Sequence, residues 1–193
     1  MHAVPDSYLV RNRNTTKHLT DEKWLQMAEN AWGKGSTLNI TEKVRLENMR
    51  IVAIKTDSKF IGSAWHPLVP KSADPEKWTK AMTVYLNSTL GIISMLGVRT
   101  FKALPYPRWG VGNIKSIPIP ILDNSKTEIL IDAYTSNANR NMKLLSNPGD
   151  ARGSIDSAVG KALAISEDLI SHARLELSKE PMITARRYES AFD

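Results

Sequence analysis

Asp74-Pro75-Glu76 opens the segment that most restricts how this chain can fold. A capping acid, a proline at the first helical position and a second acid in the first turn specify a helix start. Apolar residues follow at Trp78, Ala81, Met82, Tyr85, Leu86, Ile92, Ile93 and Leu96, with Thr89 bridging the gap and Gly97 stopping the run. That spacing predicts about five helical turns with one face in a core, so the helix is read as scaffold. Residues 98–113 then collect Phe101, Pro105, Tyr106, Pro107, Arg108, Trp109, Gly110 and Gly112. Prolines stiffen such a loop and glycines let it turn tightly. Ile114 to Ile121 reads as a short strand. Pro118 and Pro120 cannot donate ladder hydrogen bonds, which puts it at a sheet edge.

On the N-terminal side of this segment, Thr20-Asp21-Glu22 reads as a helix start. Trp24, Leu25, Ala28 and Trp32 fall on one face, and Gly33 and Gly35 end the helix. Val44 to Trp65 is strand-like, with Asp57-Ser58 as a turn between two or three strands. On the C-terminal side, Ser125-x-x-Glu128 matches a capping box, and helices are expected over Ser154–Leu163 and Ser166–Lys179, with Pro181 ending the last. The expected class is mixed α/β (α+β), a small sheet with packed helices. Residues 1–122 form an α/β domain, and residues 123–193 form a helical extension that packs on it or on a partner.

The chain has 193 residues and no cysteine, which excludes disulfides and thiolate metal sites. His2, His18, His66 and His172 are far apart and show no ligand spacing, so no metal site is expected. No run approaches the roughly 18 apolar residues of a membrane span. The opening Met-His-Ala-Val-Pro-Asp has no signal-peptide core, and a soluble, cytoplasmic chain is expected. Phosphate-binding glycine loops and nucleophile elbows are missing.

Charge points to a polyanion. Residues 1–122 carry 17 Lys/Arg against 9 Asp/Glu, whereas residues 123–193 carry 9 against 11. Lys77 to Leu122 holds six basic residues and no acid: Lys77, Lys80, Arg99, Lys102, Arg108 and Lys115. Such a stretch is costly unless an anion neutralises it, and a nucleic-acid backbone is the obvious one. Arg99, Lys102, Arg108, Trp109, Asn113 and Lys115 are the expected DNA-binding residues, with Arg50 and Lys55 near the strands extending the basic face. Lys and Arg hold phosphates, while Arg and Asn can also read base edges. Two other readings stay open. One is a metal-dependent nuclease using Asp57 in Asp57-Ser58-Lys59; the other is a module for an acidic protein partner.

Several segments carry a resemblance. They are Phe60-Ile61-Gly62-Ser63-Ala64-Trp65-His66-Pro67-Leu68, Tyr85-Leu86-Asn87-Ser88-Thr89-Leu90-Gly91 and Ile117-Pro118-Ile119-Pro120. Ser154-Ile155-Asp156-Ser157-Ala158-Val159 and Leu175-x-x-Ser178-Lys179-Glu180-Pro181 follow in order. Together, over about Arg45 to Tyr188, they resemble the C-terminal region of N6-adenine DNA methyltransferases of restriction-modification systems. The Ile-Pro-Ile-Pro run is also similar to the closing strand of target-recognition domains in type I specificity subunits. The resemblance implies a target-recognition domain that binds double-stranded DNA and positions a methyltransferase catalytic domain or subunit. The family's methyl-donor glycine motif and its Asn-Pro-Pro-Tyr have no counterpart here. The chain is therefore expected to hold no cofactor, S-adenosylmethionine belonging to the missing catalytic domain, and to have no catalytic residues or methylating activity of its own.

Overall fold

The computed structural model describes residues 9–10, 22–42, 49–62, 64–99 and 108–184. It begins with a two-residue strand, β1 (Leu9–Val10), and a helix, α1 (Glu22–Gly33). Three strands follow: β2 (Ser36–Thr41), β3 (Ala53–Phe60) and β4 (Trp65–Leu68). β2 is central, antiparallel to β3 on one side and to β4 on the other, and β1 lies parallel along the outer edge of β3. The expected turn at Asp57-Ser58 is absent. β3 runs straight through it, and the irregularity is a register shift opposite, between Ser36 and Leu38. A bulge absorbs one residue without ending the ladder.

Asp74 caps α2 (Pro75–Asn87) as its sequence requires, its Oδ1 accepting from the Lys77 N–H at 3.1 Å. Asp74→Ala should cost about 1 kcal/mol and lower the melting temperature by about 2–4 °C in a calorimetric scan. The predicted five-turn helix is in fact two. Ser88 breaks it, and its hydroxyl caps α3 (Thr89–Gly97) by accepting from the Gly91 N–H at 3.1 Å.

The expected strand Ile114–Ile121 is also absent. A short helix, α4 (Val111–Lys115), takes its first residues, and residues 118–123 are irregular. The alternating prolines remove the donors a ladder needs. This segment is instead held by Tyr85, whose hydroxyl donates to the Pro118 carbonyl at 2.9 Å.

The C-terminal part is helical as expected, with α5 (Asn124–Asn137), α6 (Gly149–Leu163), α7 (Glu167–Lys179) and the short α8 (Pro181–Thr184). The cap of α5 is Asp123 and not Ser125: Asp123 Oδ1 accepts from the Lys126 N–H at 2.9 Å and the Ser125 hydroxyl at 2.8 Å. These donors hold the Asp123 carboxyl below its ordinary value of 3.8. Their support is therefore present above about pH 4 and fades as pH falls through the lowered value. α5 packs on α2 and α6, and α7 packs on α3. One hydrophobic core runs from Leu38 and Ile40 of β2 through Met82 and Leu86 to Leu130, Ile155 and Val159. The helical part thus packs on the α/β part.

The fold is a mixed α+β one, a small antiparallel sheet covered by helices. Among the described residues, no helix is long and apolar enough to cross a membrane. Among the described residues, α1 leaves Leu25, Met27 and Trp32 exposed, Trp32 at 52%.

Candidate nucleic-acid interface

Residues 108–115 form the base of the candidate loop, and two of the expected DNA-reading residues fasten it. Trp109 is only 1% exposed, and its Nε1 donates to the Met95 carbonyl at 2.7 Å. The indole thus fills the core under α3, with no ring face left for a base to stack on. Asn113 is occupied in the same way. Its Nδ2 donates to the Val98 carbonyl at 2.7 Å, and its Oδ1 accepts from the Gly110 N–H at 3.1 Å. Both side chains take up backbone groups at the open end of α3 and the start of α4. They are anchors.

The cations fall into groups. Arg108 is 44% exposed at the side chain, and its Nη2 donates to Glu42 Oε1 at 3.4 Å. Lys115 is exposed at the end of α4, and Arg99 is half-buried just beyond α3. Arg99, Arg108 and Lys115 therefore flank one loop, whose Lys102 lies outside the described residues. Of the two residues expected to extend the basic face, Lys55 is engaged elsewhere, whereas Arg50 is fixed only through its main chain. The Arg50 carbonyl accepts from the Arg152 guanidinium, and Lys55, 11% exposed, sits 3.2 Å from Glu76.

The acid-free window is thus acid-free only along the chain. Folding brings Glu128 to Lys77, Glu76 to Lys80 at 3.5 Å, and Glu42 to Arg108. Glu128 holds the Lys77 ammonium above its ordinary value by hydrogen bond and charge. Such exposed pairs contribute little stability, but they remove net charge from the α2 surface. What is left for a polyanion at the loop end is Lys115, with Arg108 held only by a long, exposed contact to Glu42.

Three of the five segments that carry the resemblance, those containing Tyr85 to Gly91, Ile117 to Pro120 and Ser154 to Val159, bond to one another. Asn87 Oδ1 accepts from the Val52 and Ala53 N–H groups at 2.8 and 3.2 Å, and its Nδ2 donates to the Ala53 and Thr83 carbonyls. Thr89, at the start of α3, donates its N–H and hydroxyl to the two oxygens of Asp156 on α6, at 2.7 and 2.8 Å. Arg174 of α7 donates to the same carboxylate at 3.1 Å, and buried Arg152 donates to the Asn87 carbonyl. Tyr85 reaches Pro118, as above. Burial pushes the Asp156 carboxyl up, against the pull of the Thr89 donors and both guanidinium groups, and desolvation brings Arg152 down to about 10. Nothing in the spacing of Asn87, Thr89 and Asp156 pointed to this junction. Only their presence in the quoted segments marked them.

Asp57 and Lys59 lie on an exposed stretch of β3. Among the described residues, no three His, Asp or Glu side chains gather closely enough to hold a metal ion. Comparison with protein-family models, curated proteins and solved structures finds no match to this chain.

Proposed function

We propose that this chain is a DNA target-recognition module of an N6-adenine methyltransferase or restriction-modification enzyme. It binds duplex DNA through the loop end of α3 and α4 and leaves methyl transfer to a separate catalytic domain. One observation supports the reading: three of the five segments that resemble that family, up to about 70 residues apart, bond to one another through Tyr85–Pro118 and Thr89–Asp156. Trp109 and Asn113 anchor the segment that carries Arg108 and Lys115 to the end of α3, next to Arg99. In this role the three cations hold phosphates and fix register. The exposed apolar side chains of α1 suit contact with the catalytic partner that the reading requires.

Fluorescence anisotropy with a labelled duplex tests the reading. Wild type should bind with an affinity that falls as salt rises, each phosphate contact adding roughly 0.9 to the slope of log K against log salt. Arg108→Ala with Lys115→Ala should weaken binding to all duplexes alike and reduce that slope by roughly 2. An unchanged slope removes this end of the molecule from the interface.

A further inference from the structure

We infer that Glu42 restrains Arg108 from a phosphate, and that His66 competes for the same carboxylate when it is protonated. The inference rests on the reading of Arg108 as a phosphate contact.

Glu42 follows the last residue of β2, and its main chain ties two neighbours down. Its N–H donates to the Ala64 carbonyl at 2.8 Å, and its carbonyl accepts from the Trp109 N–H at 3.0 Å. The carboxylate is therefore presented from fixed backbone. It stands between two bases: Arg108 Nη2 lies 3.4 Å from Oε1, and His66 Nε2 lies 3.9 Å from Oε2. Nε2 is shielded from water and has no hydrogen-bond partner. A protonated imidazole carries a hydrogen on both nitrogens. That proton would face Oε2, and an approach of about 1 Å would make a charge-assisted bond.

The existing Arg108 bond is long and solvent-exposed, hence weak. One carboxylate thus serves two cations, and protonating His66 draws it from Arg108. Among the described residues, the charged groups within ion-pair reach of Glu42 or His66 are only these three. Lys55, on the far side of β2, is taken by Glu76. Lys43 and Arg45 lie outside the described residues.

With His66 neutral, Glu42 holds Arg108 back from a phosphate. With His66 protonated, Arg108 is released and His66 adds a positive charge, so DNA affinity rises as pH falls.

Two measurements on the full chain decide this. The first uses no DNA: the Arg108 side-chain NMR signal is followed from pH 8 to 5.5. It should move in wild type and stay constant in His66→Gln and in Glu42→Gln. A constant signal in wild type overturns the inference. The second measures duplex binding at pH 8 and 6. Wild type should gain roughly two- to fivefold on acidification. Glu42→Gln should bind more tightly than wild type at pH 8 and lose most of that gain. Equal affinities for Glu42→Gln and wild type at pH 8 also overturn it. If the Arg108 signal behaves as expected but no variant binds DNA at either pH, the coupling stands and the DNA reading falls.

Discussion

Gly91→Ala should lower the melting temperature by on the order of 10 °C, a loss of about 3 kcal/mol or more. A Cβ built at Gly91 would lie 2.1 Å from the Tyr85 carbonyl oxygen and 2.8 Å from Leu86 Cα. Both are backbone atoms, so no side chain can swing aside. The space is missing because Ser88 turns the chain sharply, folding the first turn of α3 back against the last turn of α2. Relieving the clash means opening that turn. It would pull Asn87 from Val52 and Ala53 on the sheet side and Thr89 from Asp156 on the helical side. The loss should therefore exceed that of Gly112→Ala, where a Cβ meets nothing within 4 Å. Chemical denaturation of both variants checks this. A cost for Gly91→Ala no greater than for Gly112→Ala would mean that the turn yields freely.

That turn also shows what the residues disclose in advance. The start of α2 was legible because its signals are local: an acid, a proline and an apolar period within a few residues. The break at Ser88 was not, because the apolar period resumes at Ile92 and Thr89 can bridge the gap in a continuous helix. Ser88 leaves the helix in an extended conformation, and Asn87 beside it is tied by its side chain to Val52 and to Ala53 of β3, more than 30 residues earlier in the chain. The run Ile117-Pro118-Ile119-Pro120-Ile121 has the alternation of a strand, but its prolines leave too few donors for a ladder.

The candidate site was half legible. Arg108 and Lys115 are on the surface where charge placed them, and Trp109 is inside. A tryptophan in a basic loop has the same local pattern whether it stacks on a base or plugs a core; only the neighbouring helix end decides. The acid-free window misled for a similar reason. A linear count cannot see Glu42 and Glu128 arriving from outside it, and it stops one residue short of Glu76, the i,i+4 partner of Lys80.

Asp156→Ala is expected to be the most damaging change of a charged residue, costing about 3–5 kcal/mol. Asp156 is 1% exposed, and its two oxygens accept from the Thr89 N–H, the Thr89 hydroxyl and Arg174. Removing the carboxylate leaves these donors without their acceptor. It also leaves the guanidinium groups of Arg152 and Arg174, which repel one another, without the anion between them. Asp156→Asn should cost less, because an amide oxygen can still accept from Thr89. The pH dependence separates the charge from the hydrogen bonds. Burial raises the Asp156 carboxyl in the folded state, so between its ordinary and raised values the folded chain holds a proton that the unfolded chain has lost. Stability from this group is then full at low pH and declines as pH rises through the raised value. The advantage of wild type over Asp156→Asn should accordingly narrow from about pH 4 upward in a series of denaturation curves. A gap that widens instead would mean that Arg152 and Arg174 outweigh desolvation and that the carboxyl is lowered.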